Sequence, residues 1–512
     1  MPSNRNENRR TIRRFAVSGI AFLALLAGCT RVEPRPDFQR AASLVSERTG
    51  VEDVYDPQAD AQVDASVAEL LADGLTVDEA VRVALLNHRG FQALFAELGA
   101  SRADVVQSTL LTNPSLSLGF QFPEGGGRSK LTLGLAQQLV DLWQIPVRKR
   151  IAEAELEQTL LNIAHRAVEL AAQVKERCYQ LLALQRSEES LRQSRALAER
   201  SLRLAQAQVE AGEVSQFDLN LTRAALIDVD LELLALERER RVAEVELART
   251  LGLTRESIPW TLEDSLPEPV PELPDDLGLV MLALRQRLDA QAAARKVQAA
   301  EDEVARQYLA IFPDVTLGVD FERPDNRALP GRKILADTAR SSIAAGQLTA
   351  PTIQSRGERN LEKQQVIDAL LGPSLTVTLP VWDQNQAQIA KARYRAIQRR
   401  KEFEDLLDDV AAEVQKAAAA ARNAEALVRT YEQQALPQAL ATLEGATRIY
   451  QSGEQSVLIL IQAEQSLFRR RIDHVRALRD YAVALAELER ALGGRRLATP
   501  TTQPTLTQPG PE

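Results

Sequence analysis

The chain has 512 residues, 45% of them hydrophobic but only 4% aromatic, so its apolar mass is Ala, Leu and Val, the composition of long helices and not of a dense mixed core. Three His and two Cys argue against a disulfide scaffold, a structural zinc site or a haem protein. A net charge of −9, from 62 basic and 71 acidic residues, has the wrong sign for a non-specific nucleic-acid binder.

The first predicted element is a signal peptide over residues 1–28. Arg5, Arg9, Arg10, Arg13 and Arg14 precede an apolar stretch at 16–27, which is shorter than the about 20 residues a spanning helix needs. The stretch ends in Leu26-Ala27-Gly28-Cys29, which resembles a bacterial lipobox. Cys29 would then carry covalent lipid and become the first mature residue. Thr30 stands where an Asp would favour the inner membrane, so the outer membrane is expected. Removing residues 1–28 takes the net charge from −9 to −13. Residues 29–74 read as a lipidated N-terminal segment, irregular and acidic.

Two repeats follow, at 75–252 and 276–495. Residues 208–215 (QVEAGEVS) align with 449–456 (IYQSGEQS) at an offset of 241, and 246–252 (ELARTLG) with 487–493 (ELERALG) at the same offset. Upstream, 113–120 (NPSLSLGF) aligns with 312–319 (FPDVTLGV) at an offset of 199. The difference of 42 residues is an insertion in the second repeat, expected as a loop over 323–372 that carries Arg323, Arg327, Arg332, Lys333 and Arg340. Surface-loop variability is its plainest explanation.

Each repeat reads as a helix of about 35 residues, a strand pair, a longer helix, a Gly-bearing turn and a returning helix. The strands alternate: Leu116, Leu118, Phe120 and Phe122 oppose Ser115, Ser117, Gly119 and Gln121, and the same holds around Leu131–Leu135, Val315–Phe321 and Leu375–Leu379. The long helices are expected over 143–209 and 384–450, about 100 Å each at 1.5 Å per residue. Pro146 falls in a first turn, where it is tolerated, whereas Pro437 should kink or break the second helix. Phe468, Ile472, Val475, Leu478, Ala482, Leu485, Leu488 and Leu492 recur at coiled-coil spacing on the last helix. Cys178 reads as inert packing, and His88, His165 and His474 are scattered along helices with no convergent catalytic pattern. Residues 253–275 read as a Pro-rich linker and 496–512 as a disordered Thr/Pro/Gln-rich tail.

Strands of this length with one apolar face match transmembrane β-strands, and lipid does not tolerate an open sheet edge. Four strands close around nothing, so several chains must share a barrel: eight strands from two copies, or twelve, with room for a pore, from three. The alternative is a soluble coiled-coil spacer whose hairpins pack on each other.

With these features together, the chain resembles the TolC-type outer membrane factor family, in its lipoprotein branch serving tripartite efflux pumps, over about residues 70–495. The resemblance rests on the duplicated plan, the tips at 209–212 and 450–453, the stretch 283–289 and Phe312-Pro313 before a strand. It implies a mostly α fold with a small β part. Long antiparallel coiled-coil helices form an α-helical tunnel, and four strands per chain contribute to a trimeric 12-stranded transmembrane β-barrel. It further implies a lipid-anchored outer-membrane homotrimer with its tunnel in the periplasm, contacting a periplasmic adaptor and an inner-membrane transporter. No enzymatic activity, metal or nucleic acid is implied, and no cofactor beyond lipid on Cys29. Gly212, Val214, Ser215, Gly453, Gln455 and Ser456 would form adaptor-contacting tips. Asp218, Tyr450, Leu458 and Gln462 would form a gate, with Asp218 and Tyr450 as one contact. Here Ile459 and Gln462 stand where relatives often carry carboxylates, so an uncharged constriction including Leu458, Ile459 and Ile461 is one expectation, and plain coiled-coil packing of these residues is the other. The implied function is a passive exit duct for small molecules; a one-step protein or peptide secretion system is the alternative within the same family.

Overall fold

The first helices lie where an irregular segment was expected. In the computed structural model, which describes residues 31–122, 127–212, 214–253, 259–269, 274–324, 326–327, 343–346, 369–452 and 455–494, helix α1 spans Arg35–Thr49 and α2 spans Asp60–Leu71. Each buries one stripe, Phe38, Ala41 and Val45 on α1 and Val63, Val67 and Leu71 on α2. Tertiary packing thus orders a segment whose polar composition hides its periodicity. The buried Asp37 carboxylate accepts both Nε and Nη2 of Arg102 at 2.5 Å. Phe38, Tyr55 and Phe91 surround Phe95 with ring centroids 5.6–6.1 Å away. The proposed signal peptide, Cys29, Gly453, most of the 323–372 insertion and the 496–512 tail lie outside the described residues.

The expected single 35-residue helix is two helices in each repeat. In the first, α3 (Val77–Asn87) and α4 (Arg89–Ser108) meet at His88, whose ψ is 110°. In the second, α7 (Asp276–Gln286) and α8 (Leu288–Leu309) meet at Arg287, whose ψ is 126°. The two breaks are 199 residues apart, the offset of this part of the duplication. Side chains stabilise them. The His88 Nδ1 accepts the Phe91 N–H at 3.1 Å, and burial pushes the imidazole pKa down, which favours the neutral, accepting ring. The buried Arg287 guanidinium binds Asp289 at 2.7 Å and also binds Glu413.

Helix α5 (Asp141–Glu210) runs 70 residues without interruption and α6 (Gln216–Leu251) returns. The start of α5 is tied down by the buried Asp141 carboxylate, which accepts the Thr112 N–H at 2.6 Å and the Arg148 guanidinium at 2.7 Å. In the second repeat, α9 (Gln386–Thr430) passes through a π-helical turn (Tyr431–Ala435) into α10 (Leu436–Gln451), and α11 (Val457–Ala491) returns. Pro437 lacks the N–H that would satisfy the Gln433 carbonyl, and the backbone widens there instead of breaking.

The contacts divide the chain into two units. The helical unit comprises Met1–Asp104, Ala154–Val297 and Arg399–Glu512. Part of its core is Ala-rich: Leu279, Val280 and Ala283 of α7 meet Val410, Val414, Ala417, Ala418 and Ala421 of α9 and Leu488, Ala491 and Leu492 at the end of α11. Small residues let these backbones approach closely.

The second unit, Val105–Glu153 with Gln298–Gln398, carries an antiparallel sheet in the order β1-β3-β4-β6. Its strands are β1 (Ser115–Gln121), β3 (Lys130–Gln138), β4 (Val315–Arg323) and β6 (Leu370–Val377); β2 (Gly127–Arg128) and β5 (Asn326–Arg327) form a separate two-stranded ribbon. Each repeat contributes one hairpin, and β3 pairs with β4 to join them. The register aligns whole rows of apolar side chains, Leu118-Leu133-Phe321-Leu371 and Leu116-Leu135-Val319-Pro373. This face is open: Leu116 is 69% exposed and Leu371 72%. Strand β6 begins at Leu370, inside the range expected for the inserted loop, and contains Pro373, which an edge strand tolerates. Among the described residues no helix is long and apolar enough to cross a membrane.

Candidate functional site

The predicted tip residues other than Gly453 lie where the chain reverses between α5 and α6 and between α10 and α11. After α5, Gly212 adopts φ +77° and its N–H bonds the Val209 carbonyl at 3.0 Å. A Cβ at Gly212 would meet nothing within 4 Å, so the left-handed backbone alone demands glycine here. Ser215 then caps α6 in a reciprocal box. Its Oγ accepts the Asp218 N–H at 3.2 Å, while its own N–H and hydroxyl donate to the Asp218 carboxylate at 3.2 and 2.7 Å. At the second tip Ser456 accepts only the Leu458 N–H, at 3.4 Å, because the residue equivalent to Asp218 is Ile459. Ser215, Gln455 and Ser456 are exposed and Val214 is half-buried.

Between the tips, Tyr450 is 2% exposed and packs with Val457, Leu460 and Ile461 of α11 and with Leu221 and Ala225 of α6. Its hydroxyl donates to Gln208 Oε1 at 2.5 Å, linking α10 to α5. Burial, and then the nearby Asp218 carboxylate, push the Tyr450 pKa up, so the hydroxyl stays a donor. Asp218 and Tyr450 are therefore neighbours, but each hydrogen-bonds elsewhere: Asp218 with Ser215, Tyr450 with Gln208. Gln208 was not singled out from the sequence, although it opens the string that aligns the two tips. Of the apolar candidates, Ile461 is buried within this chain, Ile459 is half-buried and Leu458 is 45% exposed; Gln462 is exposed.

Further along the same hairpins, a cavity of ≈ 340 Å³ lies among α5, α6 and α11, lined by Leu197, Ala198, Glu232, Glu464, Phe468 and Arg469. Burial pushes the Glu464 pKa up, against the Ser201 hydroxyl that donates to it at 2.7 Å. Burial also raises Glu232, which Arg469 pulls down and Asp228 pushes up. His474 of α11 sits on the π-helical turn, 3.2 Å from Glu432 and with its ring 6.4 Å from that of Tyr431. His165 lies 3.3 Å from Glu169. Among the described residues no group of three His, Cys, Asp or Glu side chains is placed to hold a metal ion. Cys178 is fully buried and its thiol is pushed up to about 12, so it is unreactive.

The model of the family described as outer membrane efflux protein matches residues 80–253 and 279–494. The cobalt-zinc-cadmium resistance protein CzcC of Cupriavidus metallidurans is 23% identical over 434 residues, covering 82% of this chain and 91% of CzcC. Among solved structures, the outer-membrane channel OprN superposes with a TM-score of 0.63 at 20% identity, covering 89% of this chain and 95% of its own. The outer membrane protein VceC of Vibrio cholerae superposes with a TM-score of 0.61 at 17% identity, covering 81% and 96%. These superpositions show a shared fold: mostly helical, with a small four-stranded sheet.

Proposed function

The chain belongs to the outer membrane efflux protein family, and from that premise we propose that three copies assemble into a passive exit duct of the outer membrane. The observation that carries this reading is the sheet. Its apolar face is exposed in register across all four strands, and β1 and β6 each have one unpaired edge. In water that face costs about 25 cal/mol per Å² of apolar surface, and in lipid the two edges would be left without hydrogen-bond partners. Lipid takes up the apolar face, pairing β6 of one copy with β1 of the next satisfies the edges, and three copies close twelve strands. The helical unit, with its charged surface, is suited to water.

Cys29 carries the lipid anchor in this reading, and the exposed Ser215, Gln455 and Ser456, with Gly212, Val214 and Gly453, meet a periplasmic adaptor that sits on an inner-membrane transporter. Asp218, Tyr450, Leu458 and Gln462 border the gate, with Gln208 in place of Asp218 as the direct partner of Tyr450. Energy for transport comes from that transporter. CzcC is named for resistance to cobalt, zinc and cadmium; the chain's own residues single out no cargo. Purified protein in planar bilayers is expected to give conductance steps of uniform size. Protein that stays in the soluble fraction and gives no steps at any concentration contradicts the duct and supports a spacer.

A further inference from the structure

The face of the sheet opposite the apolar one carries few charges, and they do not cancel. Its register rows are Ser115-Ala136-Gly318-Ser374, Ser117-Gly134-Asp320-Gly372 and Gly119-Thr132-Glu322-Leu370. On this face the ionisable residues of the four strands are Lys130, Asp320 and Glu322. Lys130 and Glu322 pair at 2.7 Å and neutralise each other. Asp320 is exposed and makes no ion pair among the described residues. Its neighbours across both strands are glycines, Gly134 and Gly372, so its row holds one other side chain, the uncharged Ser117 hydroxyl, which also reaches over the Gly134 site. Its carboxylate leans over the Gly134 site, where a Cβ would lie 2.6 Å from Oδ1.

We propose that Asp320 sets the ionic selectivity of the assembled pore, favouring cations over anions. The inference rests on the trimeric-barrel reading above. If the apolar face meets lipid, the Asp320 face must line the lumen, and threefold symmetry turns one unpaired carboxylate into a ring of three. Twelve strands about 4.8 Å apart and tilted about 40° give a barrel radius of about 12 Å. Glycine, serine and alanine beside Asp320 leave most of that radius open. The Debye length is about 10 Å at 0.1 M salt and about 3 Å at 1 M. The ring potential therefore reaches the pore axis at about the thermal energy in 0.1 M salt, and at roughly a tenth of that in 1 M.

The test is the cation-to-anion permeability ratio, from reversal potentials across a KCl gradient in planar bilayers. The full-length protein is compared with Asp320→Asn and Lys130→Gln, each first shown by native mass to assemble as the wild type does. With mean salt near 0.1 M, the wild type is expected to prefer K⁺ by about threefold or more. Asp320→Asn should fall close to parity, and Lys130→Gln should rise above the wild type because it unmasks Glu322. In 1 M salt the three should converge. A conducting Asp320→Asn protein with the wild-type ratio at 0.1 M overturns this inference and leaves the duct standing. A wild type that does not conduct overturns the duct, and the inference with it.

Discussion

Ser215 and Ser456 occupy equivalent places, yet only one of them has a partner that answers. Ser215 and Asp218 satisfy two helix-end donors reciprocally, whereas Ser456 faces Ile459 and satisfies one. Ser215→Ala should cost about 1 kcal/mol, and Ser456→Ala clearly less. Urea unfolding of the two variants compares them directly, and equal losses would mean that the box contributes nothing beyond the single cap. The glycine turn at Gly212 was legible in the sequence because turn chemistry is local, whereas the Ser215 and Ser456 caps, equally local, were not read there. The partner of Tyr450 was not, because Gln208 and Tyr450 lie on different helices and only packing decides which acceptor the hydroxyl reaches. Glu464 was passed over for a similar reason, since nothing local shows that a glutamate on a charged helix will be buried. Its raised pKa has a definite sign. The folded chain holds the Glu464 proton more tightly than the unfolded chain does, so ionisation opposes folding above the folded pKa. That cost disappears as pH falls below the unfolded value of about 4.3. Glu464→Gln should therefore raise the thermal midpoint at pH 7, with an advantage that shrinks toward pH 4. A constant advantage across that range would show that the charge is not its source.

At the scale of elements, long periodic runs and their punctuation were readable. The first long helix, expected over 143–209, spans Asp141–Glu210, and all four strands of the sheet alternate as their residues predicted. What failed to show were the breaks at His88 and Arg287. Neither carries Pro at the break, and both depend on side-chain contacts that bring in another turn or helix, such as Arg287 with Glu413 of α9. The N-terminal helices were missed because their apolar stripes are only three residues each, and long-range packing, such as Phe38 of α1 on Phe95, is what orders them. Pro437 was visible as a disturbance but not as a π-helical turn, because whether a chain breaks or widens depends on what holds the flanking helices in line. Here His474 and Glu432 lie 3.2 Å apart and Tyr450 anchors the far end of α10. Restoring the N–H with Pro437→Ala should let the Gln433 carbonyl pair and convert the turn to α-helix. Amide hydrogen exchange over 431–437 should slow several-fold. Exchange as fast as in the wild type would place the cause of the π-helical turn in the α11 contacts and not in the proline.

For the whole molecule, the duplication explains why one chain carries two β-hairpins in one sheet and two helical tips, and the proposed trimer would cover what a single copy leaves exposed. The apolar sheet face is one such surface. Another is a stripe on α6, where Ile227, Leu231 and Leu234 are 52–63% exposed at coiled-coil spacing among the described residues. Covering it with a neighbouring copy would give the helices the seam their spacing suits. Leu234→Asp should therefore weaken assembly while leaving the helix content of each chain unchanged, as read by circular dichroism. Assembly of the variant at wild-type concentration would remove this stripe from the interface. The most direct test of the shared barrel is the native mass of the full-length protein extracted from outer membranes in mild detergent. Three acylated chains are expected, with no stable monomer. A single chain or a dimer, recovered from the soluble fraction, would contradict the duct.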